Sequence, residues 1–166
     1  MIEIKIKALT KKTLKEALSL LDTVFPEGDE EEPANIALLA SLNLEKYKDA
    51  LSKMKIVELK YWTAIDVTGK IVGTIGLYHY EDDNDEEIWL GYFSVNPHLR
   101  KMGIGTQLLN FSINEARKYG KKFLRLWTMS SLRDAQKLYE KHGFKLTREK
   151  SLGDTELKKL YYKLKL

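Results

Sequence analysis

The segment 95–106, Val-Asn-Pro-His-Leu-Arg-Lys-Met-Gly-Ile-Gly-Thr, has the makings of an anion site. It follows an apolar, strand-like run at 88–95 and leads into a helical pattern that opens on Gly103 and Gly105. The first N–H groups of a helix have no acceptor within it, and the helix dipole favours negative charge there. Glycines let a ligand approach that backbone closely, and Arg100 adds a fixed cation. Together these features suit a diphosphate. A lone G-x-G is weak evidence, because many helices open this way for packing alone.

A second block, Ala135-Gln-Lys-Leu-Tyr-Glu-Lys-His-Gly-Phe144, lies about 30 residues further on, beyond a helix and a strand. Tyr139 is its chemically interesting member. It shares a helical face with Ala135 and Leu138, so a core role is open to it. A role as proton donor is open too, since a phenol stays protonated at neutral pH. His79, His98 and His142 lack the spacing of metal ligands, and no metal site is expected. Trp62, Trp89 and Trp127 all fall in strand-like runs, as core or pocket wall.

The elements that must hold these residues are readable from periodicity. Ile2, Ile4 and Ile6 alternate with charges, as in a half-buried strand. Thr10 can cap a helix bearing Leu14, Ala17, Leu18 and Leu21. Pro33 suits the start of a second helix, running to about Met54. Strands at 61–67 and 71–80 flank Thr68-Gly69 as a hairpin. The run 88–95 follows, then a helix from Gly103 to Gly120 with Ile104, Leu108, Leu109 and Ile113 on one face. A strand at 123–128 precedes a helix ending at His142-Gly143, where Ser131 and Asp134 have the spacing of a capping box. Strands at 144–148 and 157–164 complete an order β-α-α-β-β-β-α-β-α-β-β. This is a mixed α/β (α+β) chain, read as a single domain over 1–166, with a right-handed crossover that makes part of the sheet parallel.

Composition sets limits. Hydrophobic residues at 43% and charged residues at 31% fit a globular protein. The absence of cysteine removes disulfides, thiolate metal sites and a thiol nucleophile. The opening MIEIKIKALTKK has no apolar signal-peptide core, and no run reaches the length of a membrane span, so a cytoplasmic protein is expected. The net charge of +4 is mixed in sign, with acidic runs EGDEEE at 27–32 and EDDNDEE at 81–87, so neither nucleic acid nor membrane is an expected partner.

The two blocks together resemble the GCN5-related N-acetyltransferase (GNAT) superfamily. The pattern V-x-P-x-x-R-x-x-G-x-G is met by Val95, Pro97, Arg100, Gly103 and Gly105, and A-x-x-x-Y-x-x-x-G-F by Ala135, Tyr139, Gly143 and Phe144. The resemblance implies a three-layer fold whose mixed central sheet is splayed at the acyl-CoA site, with acetyl-CoA as cosubstrate. It implies that Phe93, Ser94 and Val95 pair with the pantetheine arm. Arg100, Lys101, Met102, Gly103, Ile104, Gly105 and Thr106 would hold the pyrophosphate, and Tyr139 would meet the sulfur. Leu132 stands where the family often has Asn, and the adjacent Ser131 is the substitute candidate. Some relatives use a Glu near the position of Glu87 as base, often through water. The implied activity is acetyl transfer to a primary amine of a small molecule or peptide. The alternatives are transfer of a longer acyl group, or a non-catalytic acyl-CoA-binding module on the same fold. The acidic runs would favour a cationic acceptor. A homodimer is left open.

Overall fold

A computed structural model describes residues 1–26 and 33–166; the acidic run at 27–32 lies outside the described residues. Strands β1 (Ile4–Ala8), β2 (Ile56–Asp66), β3 (Ile71–Tyr80), β4 (Glu87–Val95), β5 (Phe123–Met129), β6 (Lys145–Ser151) and β7 (Lys158–Lys165) form one sheet in the order β1-β2-β3-β4-β5-β7-β6. Only the β4–β5 pair is parallel. Those two strands are joined through a helix, as a parallel crossover requires.

Helices α1 (Lys11–Val24) and α2 (Ala34–Leu42) cover one face, and α4 (Ile104–Lys118) and α5 (Arg133–Lys141) the other. Thr10 caps α1 in a capping box with Thr13, and Ala17, Leu20 and Leu21 of α1 are buried. On the opposite face, α4 buries Ile104, Leu108, Leu109, Ile113 and Ala116 against Ile88, Leu90, Leu124 and Leu126. Each such Leu or Ile contributes roughly 1.5–3 kcal/mol by leaving water. That packing fixes the height of the first turn of α4 over the sheet.

The expected second helix is divided. A short α3 (Lys48–Lys53) follows α2 after a break at Asn43. The Asn43 side chain accepts the Lys46 N–H at 3.1 Å, a local turn that competes with helix continuation. Pro33 is the N-cap of α2 and not its first residue. Strand β2 starts at Ile56, earlier than the pattern of alternation suggests. Among the described residues, no helix is long and apolar enough to cross a membrane.

Candidate active site

The sheet opens between β4 and β5. Their pairing covers only Glu87–Trp89 against Phe123–Arg125, after which β5 continues with β7 as its neighbour and β4 keeps only β3. A β-bulge bends β4 at this point. Thr74 pairs with Ser94 and Gly76 with Gly91, so Ile75 faces both Tyr92 and Phe93. Tyr92 has φ of 45°, a left-handed conformation that costs a non-glycine residue energy. A buried hydroxyl network holds it: Thr74 Oγ1 donates to the Tyr92 carbonyl at 2.7 Å and lies 2.7 Å from Ser94 Oγ. Ser94 therefore turns its side chain toward β3.

The backbone of Phe93 and Val95 faces the other way. The Asn96 N–H donates to the Val72 carbonyl at 2.9 Å. Antiparallel strands alternate between residues that bond across the ladder and residues that point outward. Val95, one residue before Asn96, and Phe93 beyond it thus present N–H and C=O groups to the gap.

Below the gap, the Asn96 side chain accepts the His98 N–H and starts a 3₁₀ turn at Pro97–Leu99. Gly103 then caps α4 with φ of 85°, and no side chain bonds the helix's first turn. The N–H groups of Ile104, Gly105 and Thr106 lack intrahelical acceptors. A Cβ at Gly103 would meet only the exposed and flexible Met1 side chain, so it is the left-handed conformation that requires glycine there. The lead-in to β1 supports this turn: Ile2 N–H donates to the Met102 carbonyl, and Gln107 Nε2 donates to the Ile2 carbonyl at 2.9 Å. At Gly105 a Cβ would lie 3.3 Å from Leu138 and 3.5 Å from Phe93, so this glycine also brings α4 close to α5 and β4. Arg100, Lys101 and Met102 are exposed beside the turn. Lys101 reaches Asp134 on α5 at 3.6 Å, an exposed pair of little energetic weight.

Tyr139 is buried among the rings of Phe93, Phe144 and Tyr162, with centroids 6.1, 5.8 and 6.2 Å away. Its hydroxyl makes no hydrogen bond to a described residue. Burial, and then the neighbouring Tyr162, push its pKa well above the ordinary tyrosine value. The residue stays a neutral phenol at every physiological pH, and its ring touches the strand whose backbone faces the gap. The core and donor readings are thus not exclusive.

Two expectations change. Ser131 does not cap α5: the N-cap is Leu132, which makes no side-chain bond. Gln136 does the tethering, donating to the Met129 and Ser130 carbonyls at 3.2 and 3.0 Å. Glu87, the candidate base, lies on the sheet face opposite Tyr139. Its carboxylate receives Arg125 at 2.9 Å and also Lys163. Burial would raise its pKa, but the hydrogen bonds from Lys163 and Arg125 outweigh that and hold it below the usual carboxylate value. It ties β4, β5 and β7 together where the sheet is still closed. The rest of the 81–87 run is similarly engaged: Asp82 pairs with Lys55, Asp83 accepts the Trp89 indole N–H, and Glu86 pairs with Lys122. This removes most of the free negative charge on which attraction of a cationic acceptor would depend at 81–87. Among the described residues, no three His, Asp or Glu side chains are grouped to hold a metal.

Thr74 escaped sequence reasoning. Its signal was present: a lone hydroxyl in the buried run Ile71-Val-Gly-Thr-Ile-Gly-Leu has to bond something. Gln136 and the cations that border Trp127 and Tyr161 gave no such signal, because a polar residue in an amphipathic element is ordinarily solvated.

Comparison with known proteins agrees with this fold. An N-acetyltransferase from Staphylococcus aureus superposes with a TM-score of 0.72 at 18% identity, over 98% of each chain. A GNAT-family acetyltransferase from the same species gives 0.68 at 19%, over 98% of this chain and 99% of the other. At these identities the likeness establishes the fold. The chain matches the acetyltransferase (GNAT) family model over residues 16–144 and belongs to that family, whose cosubstrate is acetyl-CoA. It is 39% identical over 88 residues to the probable N-acetyltransferase camello of Xenopus tropicalis, covering 53% of this chain and 39% of that protein. It is 35% identical over 80 residues to the aminoalkylphosphonate N-acetyltransferase of Salmonella typhimurium, covering 46% and 51%. The chain thus spans about half the length, or less, of these curated relatives.

Proposed function

We propose that residues 1–166 act as one domain that moves the acetyl group of acetyl-CoA to a primary amine. The observation that carries this reading is the gap between β4 and β5, with outward-facing backbone at Phe93 and Val95 directly above the uncapped first turn of α4. Pantetheine would complete the open edge of β4 as an added strand, and its diphosphate would take the N–H groups of Ile104 to Thr106 with Arg100 beside them. Ser94 and Thr74 hold the bulge that aims this edge.

In the reaction, a neutral amine attacks the thioester carbonyl. The Val95 N–H stabilises the oxyanion that develops. Collapse breaks the C–S bond, and Tyr139 donates a hydrogen bond or its proton to the departing sulfur. Desolvation raises the proton affinity of a thiolate beside Tyr139 as it raises the pKa of the phenol, so burial of both need not widen the gap between donor and acceptor. The proton shed by the nitrogen leaves through water, because the carboxylate of Glu87 is held by two cations. The Salmonella relative, named for aminoalkylphosphonates, is an instance of a small primary-amine acceptor.

The test is thiol release from acetyl-CoA in the presence of an amine panel, with the acetylated product identified by mass spectrometry. Turnover with at least one primary amine is expected. Tight acetyl-CoA binding without transfer to any amine would assign the chain to the non-catalytic alternative.

A further inference from the structure

The β5-β7-β6 part of the sheet has two unlike faces. Leu124, Leu126, Leu160 and Tyr162 enter the core under α4 and α5. Their alternating neighbours point the other way, and there Trp127 and Tyr161 are only half-buried. Each of these rings carries a cation: Lys159 Nζ is 4.2 Å from the Trp127 centroid, and Arg148 Cζ is 5.3 Å from that of Tyr161. Lys150 pairs in register with Lys159. Among the described residues, none of these three cations has a carboxylate partner. The neighbouring Arg125 and Lys163 are already matched by Glu87, and Glu149 pairs with Lys158 on the opposite side.

The position of this face matters. Trp127 lies two residues beyond Arg125, the last position of β5 paired with β4, so its ring borders the gap. Tyr161 pairs with Trp127, and Arg148 with Tyr161, in one row leading away from it. Neighbouring strands are spaced about 5 Å apart, so the strands that bear Lys159 and Arg148 lie one and two spacings from the gap's edge, about 5 and 10 Å. A cation resting on an aromatic ring is held in place while its free side remains able to bind.

We propose that Lys159 and Arg148 form the acceptor's anion subsite, so that the acceptor is a small amine carrying a phosphate, phosphonate or carboxylate group on a short linker. Trp127 and Tyr161 floor the subsite, and the anion anchors the molecule while the amine extends into the gap. This rests on the reading above that an amine is acetylated there.

The experiment compares matched acceptors with acetyl-CoA: O-phosphoethanolamine and β-alanine against ethanolamine, propylamine and putrescine. The anionic members should exceed the neutral ones in kcat/KM by about a hundredfold, the scale of two charge-assisted hydrogen bonds. Lys159→Gln and Arg148→Gln should each cut that preference by about tenfold, while Lys70→Gln in the distant hairpin turn leaves it alone. A preference for putrescine, or a preference unmoved by both variants, overturns the subsite. A second measurement does not depend on turnover: titration of the CoA-loaded protein with O-phosphoethanolamine at low salt, followed by tryptophan fluorescence. Saturable quenching that is lost in both variants supports the subsite even if no amine is acetylated, in which case only the transferase reading fails. Absence of saturable quenching overturns it. So does tight binding of a single-stranded oligonucleotide with no response to the small acceptor.

Discussion

Replacing Tyr139 with Phe removes one oxygen from a residue that is 5% exposed and keeps its three ring contacts. The hydroxyl has no hydrogen bond to a described residue, so the fold loses no intramolecular bond. The expected stability change is within about 0.5 kcal/mol, and acetyl-CoA affinity should change by less than about twofold. Catalysis should suffer far more. Loss of a general acid lowers kcat by roughly 10²–10⁴-fold, or about 2.7–5.4 kcal/mol of barrier. The wild-type pH profile has a definite sign. The acid form of Tyr139 is competent below its pKa, and burial moves that pKa upward, so kcat should show no basic limb from this group below about pH 10. The acidic limb should follow deprotonation of the acceptor amine. Steady-state kinetics over pH, thermal melts and equilibrium acetyl-CoA binding on the same two proteins check all of this. A variant with wild-type kcat would remove Tyr139 from the chemistry and leave it a core residue.

Further outcomes follow from other parts of the site. Arg100→Ala should weaken acetyl-CoA binding about tenfold or more, with kcat at saturation little changed, because the lost contact is a charge-assisted bond to a non-reacting phosphate; calorimetric titration reads this, and normal affinity would displace the diphosphate from the α4 turn. Thr74→Val removes the hydroxyl that bonds the Tyr92 carbonyl and the Ser94 hydroxyl. It should cost about 1–3 kcal/mol in denaturant melts and speed amide exchange at Phe93 and Val95; unchanged exchange would mean the bulge is held by something else. Gly103→Ala, at φ of 85°, should cost about 1 kcal/mol and raise the KM for acetyl-CoA. Glu87→Gln should destabilise the fold by about 1–3 kcal/mol at neutral pH, because Arg125 and Lys163 lose their shared partner. The folded-state pKa of Glu87 is depressed, so its contribution is present above the unfolded pKa and lost as pH falls through the folded one. The stability gap between wild type and variant should therefore close on acidification below about pH 4.5. A kcat reduction above a hundredfold in a folded Glu87→Gln protein would instead favour a base.

The sheet and its partner helices were legible wherever one face is buried and the other is not. Alternation in 2–6, the stripe of Leu108, Leu109 and Ile113, and the glycines ending α4 and α5 left little choice. The motif at 95–106 likewise contains its own physics, since glycine at a helix start and an adjacent arginine act through local backbone. What sequence could not display was partnership across distant segments. Glu87 reads as one carboxylate of a solvated run until Lys163, far along the chain, is folded beside it. Ser131 has the spacing of a cap, but the helix starts one residue later than that spacing requires, with Leu132 at the N-cap position. The break at Asn43 turned on one side-chain bond that competes with helix propensity. The cationic rings of β5, β7 and β6 become a surface only once the register places them in a row.

Acetyl-CoA bound to the protein would be the most direct probe of the central claim. Amide chemical-shift changes on titration should concentrate at Phe93, Val95 and Ile104 to Thr106, and addition of a primary amine should then release free CoA and acetylated product. Shifts confined to another part of the molecule, or binding at this cleft with no amine ever acetylated, would contradict the account.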